Sequence, residues 1–274
     1  MSSTPKPDLY DPPGRILVHG AAYQDLDRWH RAAEQLRRAE TLPRVEEPGW
    51  WPFWAVTRHA EVAEIERQNL LFPNTETSVL LPEAALAQQK KSGVQIKSLV
   101  HMDDPEHAKY RKLTNEWFKP SNLRKLFEAR VVELAKRYVD RMASFGSECD
   151  FARDVALYYP LHVIMSILGV PEADEPRMLR LTQQLFGNED PEFAGEDRNA
   201  ALLAAALDFK QYFDRMTDDR RAHPRDDIAT VLSNAQIDGA PMPEIERLGY
   251  YMIVATAGHD TTSATLASGV EALM

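Results

Sequence analysis

Apolar residues recur at helical spacing along most of the chain and alternate in strand fashion only near its start. Residues 25–40 place Leu26, Trp29, Ala33 and Leu36 on one side, which predicts an amphipathic helix. Residues 44–47 and 53–57 read as two short strands joined through Pro48-Gly49, and residues 59–68 as a brief helix. Between Phe72 and Leu99 the periodicity fades, with a break at Pro82 and a turn at Lys90-Lys91-Ser92-Gly93. Irregular runs of that length often serve as lids or binding loops. Asp104 is expected to cap a helix, with Pro105 at its first position and Glu106 near its positive end. His107 and Arg111, four apart, then share one face. After Lys119-Pro120 a charged amphipathic helix, residues 121–143, runs on to Gly146. Residues 151–168 are strongly apolar, and His162 among them reads as a satisfied core histidine rather than a ligand. Helices over 172–186 and 198–221 flank an acidic loop at 187–197, forming either a hinged cover or an ordinary helical hairpin. A short helix at 226–234 and Pro241-Met-Pro-Glu lead into the last element.

That last element, residues 250–274, reads as one long, mostly buried helix, since apolar and small residues fill nearly every position and no proline interrupts it. Its middle is unusual for a core helix. Ala257 and Gly258 leave almost no side chain, while Asp260, Thr261, Thr262 and Thr265 bring in an acid and three hydroxyls. Positions four apart share a face, so Ala257 lies over Thr261 and Gly258 over Thr262. A threonine hydroxyl can bond the carbonyl one turn back and bend the helix. One reading is a small notch, a hydroxyl beside a carboxylate, able to hold a diatomic ligand or a water and pass protons. The other is a helix that ends near Gly258 and restarts at an Asp-Thr-Thr cap.

With 274 residues, 44% of them apolar and 27% charged, the chain can bury a sizeable core. The longest apolar run, about 200–207, is far short of a membrane span, and the N-terminus lacks a signal peptide's basic start and apolar block. A single cysteine, Cys149, excludes an internal disulfide framework. A cytoplasmic protein without a membrane partner is expected. The net charge of −10 argues against nucleic acid. The charge is uneven, however: between Lys90 and Lys125 nine Lys and Arg face four Asp and Glu, a local +5. Such a run is most simply a solvated helix face.

Ala257-Gly258-His259-Asp260-Thr261-Thr262 resembles the (Ala/Gly)-Gly-x-(Asp/Glu)-Thr-(Thr/Ser) signature in the long distal helix of the cytochrome P-450 superfamily, the haem-thiolate monooxygenases. Upstream, Met102-Asp-Asp-Pro-Glu-His107-Ala-Lys-Tyr-Arg111 resembles the Asp-Pro-Pro-Glu-His-x-x-x-Arg segment of the bacterial branch. The framework stretches 159–171, 181–187 and 255–262 are most similar to bacterial monoterpenol hydroxylases of the terpineol type. The resemblance implies a mainly α fold, a helical domain with a small N-terminal β-sheet, cut within the long distal helix. Residues 1–274 would be the N-terminal part of one such domain, with the sheet and a substrate-cover loop in 14–100 and the helical part in 101–274. It further implies haem b, dioxygen, and electrons from NAD(P)H through a ferredoxin-type or flavodoxin-type donor that docks on the basic stretch. Asp260 would relay protons, and Thr261 would hold dioxygen and a water. His107 and Arg111 would meet the haem propionates, with Ala257 and Gly258 beside the cofactor. Val100 and Val254 would line the pocket of a small apolar substrate, such as a monoterpene or a related alcohol or aromatic hydrocarbon. A monomer is expected.

The family's thiolate loop, Phe-x-x-Gly-x-x-x-Cys, lies downstream of the distal helix, and Cys149 does not match it. No metal ligand is therefore expected in this chain, which reads as a fragment of a longer enzyme. Glu34-Gln-Leu-Arg37, Glu64-Ile-Glu-Arg67 and Glu244-Ile-Glu-Arg247 match the family's Glu-x-x-Arg string upstream of its place and read as chance pairs. Two other readings remain: an inactive, haem-free helical framework or interaction protein, and an unrelated enzyme using His259, Asp260 and Thr261 for acid-base work. Against the latter, adjacent helical residues point about 100° apart, so His259 and Asp260 are not expected to converge easily on one atom.

Overall fold

The computed structural model describes residues 8–74, 77, 79–92, 97–126, 130–186 and 198–274. Two compact units result, Met1–Gln95 and Ile96–Met274, each with its own apolar cluster.

In the first unit, 3-10 turns at Pro13–Leu17 and Gly20–Gln24 lead into α1, Leu26–Arg38. Asp25 caps α1 by accepting the Arg28 N–H at 3.0 Å, and Arg37 and Arg38 sit at its negative end. The helix buries Ala32, Ala33 and Leu36 against Ile16, Ala22, Val45 and Ala55. Trp29 packs against the edge of this cluster, whereas Leu26 is exposed. The two short strands form: β1, Arg44–Val45, pairs antiparallel with β2, Phe53–Trp54, in the register Arg44 to Trp54 and Val45 to Phe53. Buried Glu47 is held by Arg15 Nε at 2.8 Å and His19 Nε2 at 3.0 Å. The brief helix is α2, His59–Glu66. The expected turn at Lys90-Lys91-Ser92 is instead the end of α3, Glu83–Ser92. Ala84, Ala85, Leu86 and two glutamines are good helix formers, and Pro82 stands just ahead of the first turn, where it does no harm. Gly93 lies outside the described residues.

The second unit is helical: α4, Glu106–Thr114; α5, Pro120–Leu126; α6, Val132–Ser144; α7, Tyr158–Leu168; α8, Glu175–Phe186; α9, Arg198–Ala222; α10, Ile228–Ser233; α11, Glu244–Ala257; α12, Asp260–Leu273. Pro105, not Asp104, occupies the capping position of α4, and the His107 N–H donates to the Asp103 carbonyl at 2.9 Å. The single helix expected over 121–143 is represented by α5 and α6, and its continuity at 127–129, like the acidic loop at 187–197, falls outside the described residues. A hairpin that the apolar pattern does not announce precedes α11: β3, Gln236–Ile237, and β4, Ala240–Pro241, turn through Asp238 and Gly239, both at positive φ.

Helix α7 is apolar on nearly all sides and buries Leu161, Met165 and Leu168 completely. It ends at Gly169 in the left-handed conformation, φ 92°. A Cβ there would also stand 2.3 Å from Asp227 Oδ2, so both backbone and space require glycine. Phe213 of α9 stacks on Tyr251 of α11 with ring centroids 4.5 Å apart. Two adjacent tyrosines fix α11 on two sides. The Tyr250 hydroxyl lies 2.7 Å from Thr114 Oγ1, and the Tyr251 hydroxyl lies 3.2 Å from Thr217 Oγ1 and 3.0 Å from Ser233 Oγ. Segment 97–98 crosses α11 so closely that a Cβ on Gly249 would stand 2.1 Å from the Lys97 carbonyl oxygen. Among the described residues no helix is long and apolar enough to cross a membrane.

His162 is a core histidine, with Nδ1 3.0 Å from Glu175 Oε2 and Nε2 4.0 Å from Glu172 Oε2, while Glu172 pairs with Arg137. Burial, then the Glu172 charge, pushes the Glu175 carboxyl up to about 7. Burial, then Arg137, pulls His162 down. A carboxyl whose folded value is raised binds its proton more tightly in the folded state. Its stabilising effect is complete below about 4.5 and is lost as the pH rises through about 7. Glu175→Gln is therefore expected to raise the unfolding temperature at about pH 8 but not at about pH 5, by the equivalent of ~1–2 kcal/mol. Thermal melts at the two pH values check this, and an equal shift at both would remove Glu175 as the cause.

Candidate functional site

Three helices and one turn enclose a cavity of about 340 Å³ within the second unit. Helix α4 and the turn after it contribute Arg111, Thr114, Asn115 and Phe118; α11 contributes Tyr250, Ile253, Val254 and Ala257, with Gly258 just beyond. Ile164 of α7 and Leu99 complete the wall. Most of that surface is carbon, and Arg111 is a cation with no ion-pair partner among the described residues. The Tyr250 to Thr114 contact sets the spacing between the two main walls, because it joins α11 to α4 at the cavity itself. A larger cleft of about 640 Å³ lies between α6, α7 and the start of α8, but charges along it pair with one another: exposed Arg137 with Glu172, buried Arg220 with Asp227.

The last element is two helices and not the one continuous helix expected. Helix α11 stops at Ala257 and α12 begins at Asp260, with His259 at φ −101°, ψ −73° between them. The cap is His259, without a side-chain bond, rather than the Asp-Thr-Thr run. The second half is also mostly exposed: His259 and Ser263 are its buried residues, while Thr261, Thr262 and Thr265 face outward. Small and hydroxyl-bearing side chains give α12 too little apolar surface facing α7 to bury more. The hydroxyl bonds anticipated at the notch are present. Thr256 donates to the Met252 carbonyl at 2.8 Å, Thr261 to Ala257 at 3.2 Å, and Thr265 to Thr261 at 2.7 Å.

Of the candidate residues, Arg111, Val254, Ala257 and Gly258 meet in the cavity wall. Val100 does not; it is 44% exposed, and its neighbour Leu99 lines the cavity in its place. His107 sits one turn before Arg111 on α4, half-buried, its Nδ1 4.0 Å from Asp104 Oδ1. Asp260 and Thr261 occupy the first turn of α12, immediately past the wall, with Thr261 tied back to Ala257. His259 and Asp260 meet each other at the break between the helices: Nδ1 stands 2.9 Å from Asp260 Oδ1. Thr114 and Asn115 were missed from sequence, although Thr114 is three residues past Arg111 and so on the same face. Tyr250 carried no local signal, since its partner is 136 residues away.

No family profile matches the chain. Among curated proteins, cytochrome P450-terp of a Pseudomonas species is 40% identical over 264 residues, covering 92% of this chain and 61% of the relative. The steroid C26-monooxygenase of Mycobacterium tuberculosis is 29% identical over 286 residues, covering 99% of this chain and 62% of the relative. Among solved structures, CYP108D1 of Novosphingobium aromaticivorans superposes with a TM-score of 0.81 at 37% identity, covering 94% of this chain and 62% of that one. Mycobacterium marinum CYP268A2, in complex with pseudoionone, superposes with a TM-score of 0.80 at 26% identity, again over 94% and 62%. The chain thus spans about three fifths of the length of the relatives it matches. The signature at the α11 to α12 break, the His107 to Arg111 face, and these similarities in sequence and fold agree: the chain belongs to the cytochrome P450 superfamily.

Proposed function

We propose that this chain supplies the distal wall of a haem-dependent monooxygenase that inserts one oxygen atom of O2 into a small apolar substrate. The observation that carries the reading is the junction of α11 and α12: an apolar wall thinned to Ala257 and Gly258, with a hydroxyl and a carboxylate on the next turn. Haem is a flat apolar group bearing two acids, and the chemistry of the cavity suits it. Leu99, Phe118, Ile164, Ile253 and Val254 offer carbon, Ala257 and Gly258 offer close approach, and Arg111 offers a cation without an ion-pair partner among the described residues. His107, on the same face of α4, is the second candidate for the acids. The thiolate ligand is not assigned in this chain, where Cys149 is exposed and apart from the cavity lining.

When bound, haem supplies oxygen activation. This chain's residues supply its surroundings. Val254 and the neighbouring apolar groups exclude water and give a terpene-sized molecule a surface to bury. The Thr261 hydroxyl, already donating to the Ala257 carbonyl, keeps its lone pairs free to accept from a water at the notch. Asp260, about half exposed, can take a proton from solvent and pass it inward to that water. A monoterpene or a related alcohol or aromatic hydrocarbon is the proposed substrate class, in keeping with the 40% identity to P450-terp and with the pseudoionone held by CYP268A2. Relatives named as monooxygenases give the haem-free alternative no support.

The test is the carbon monoxide difference spectrum of the reduced protein, for this chain and for one extended to the relatives' full length. A red-shifted, thiolate-type Soret band in the extended protein is expected. Its absence there would overturn the reading. For electron supply, we propose that an acidic ferredoxin-type or flavodoxin-type protein docks on a cytoplasmic monomer at α4 and the basic residues near it. Its Michaelis constant is expected to rise about tenfold or more between low salt and physiological ionic strength. A salt-independent constant would place the donor elsewhere.

A further inference from the structure

Asp260 does not stand alone. His259, the residue that breaks the helix, is completely buried, and two contacts account for its ring. Nε2 lies 2.9 Å from the carbonyl oxygen of Leu157, at the head of α7. A carbonyl can only accept, so Nε2 carries the proton. Nδ1 then faces Asp260 Oδ1 at 2.9 Å, yet out of line for a hydrogen bond, which leaves it a buried polar atom without a hydrogen-bond partner. Ser263 Oγ, one turn on, is buried and without a hydrogen-bond partner as well. A bare lone pair against a carboxylate oxygen at that distance repels it, and buried polar atoms are rarely left unmatched. The contact is attractive when a proton lies between the two groups. The two residues meet at the break between the helices, where His259 stands at φ −101°, ψ −73° ahead of the first turn of α12.

We infer that His259 is a positioning residue for Asp260: anchored to α7 through Leu157, its imidazole holds the Asp260 carboxylate in one orientation beside the notch. The inference rests on Asp260 acting as the proton relay. Without the anchor, the carboxylate is an exposed side chain with free rotamers, and its geometry toward any acceptor is averaged.

Two substitutions separate the contacts, because a glutamine amide reaches the place of Nε2 and an asparagine amide that of Nδ1. In a haem-loaded protein of the relatives' full length, His259→Gln keeps a donor for Leu157 and loses the hold on Asp260. Substrate-induced spectral shifts and KM are expected to stay within about twofold, while turnover falls on the order of tenfold and the solvent isotope effect rises. Asp260→Asn is expected to do the same, and the double variant to be no slower than Asp260→Asn alone, since the two residues act as a unit. His259→Asn, with a donor toward Asp260, is expected to recover part of the loss. A second readout is independent of turnover. In the reduced, carbon monoxide-bound protein labelled with 15N-histidine, the Nδ1 resonance of His259 is expected to move on Asp260→Asn. A slow Asp260→Asn beside a normal His259→Gln would sink the positioning role and leave the relay standing. Normal turnover in both would remove the relay and this inference with it. If His259→Gln does not fold, the resonance decides: an unmoved Nδ1 overturns the contact.

Discussion

Asp227→Ala is expected to destabilise the second unit by about 3 kcal/mol, the low end of the cost of breaking a buried ion pair, because Arg220 keeps its pairing with Asp219. The carboxylate serves three elements. Its Oδ2 accepts from Arg220 Nε of α9 at 2.7 Å, with both side chains almost wholly buried. Its Oδ1 caps α10 by accepting the Thr230 N–H at 2.7 Å. It also fills the space over Gly169, where α7 ends and where Arg220 donates to the carbonyl at 2.8 Å. Alanine removes the charge, the cap and the packing together. Asp227→Asn, which can keep the cap, is expected to lose roughly half as much. Urea unfolding followed by far-ultraviolet dichroism measures both, and a loss below about 1 kcal/mol for alanine would mean that water replaces the carboxylate.

Thr261→Ala should spare binding and spoil the use of electrons. In a haem-loaded protein of the relatives' full length, product formed per NAD(P)H consumed is expected to fall on the order of tenfold, with peroxide making up the difference. The hydroxyl is the group that changes. It bonds the Ala257 carbonyl at 3.2 Å and lies outside the apolar wall, so its loss leaves Val254, Ile253 and Phe118 in place for the substrate. Thr261→Ser keeps the hydroxyl and is expected to stay within about threefold of the parent. Equal product per NAD(P)H in the alanine variant and the parent would remove Thr261 from oxygen handling, whatever became of the binding constant.

How much of this was legible depends on how local the cause was. Asp25 before an amphipathic run is a one-turn signal, and the capping bond is there. The Asp238-Gly239 hairpin turn is equally local but sits between strands of two residues, too short for alternation to show. Helix α3 went unread because its residues favour the helix by propensity while its apolar positions gather on no side. The small residues and hydroxyls of 257–262 marked the site, and the arrangement around them gave two admissible backbones. Structure kept the hydroxyl bonds of one and the interruption of the other. Thr114 with Tyr250, and His259 with Leu157, are pairs 136 and 102 residues apart, which no window along the sequence can join.

The two-residue gap between α11 and α12 has a mechanical meaning. A helix passes a displacement along its axis because each turn is bonded to the next, so a push at one end arrives at the other. At Gly258 and His259 that transmission is interrupted. Helix α11 is gripped on two sides by its tyrosines, whereas α12 buries Ser263, and Leu266, Ala267 and Val270 only in part. The junction therefore works as a clutch: strain arriving at α12 can be taken up by the torsions at His259, while Val254 and Ala257 keep their distance from Arg111.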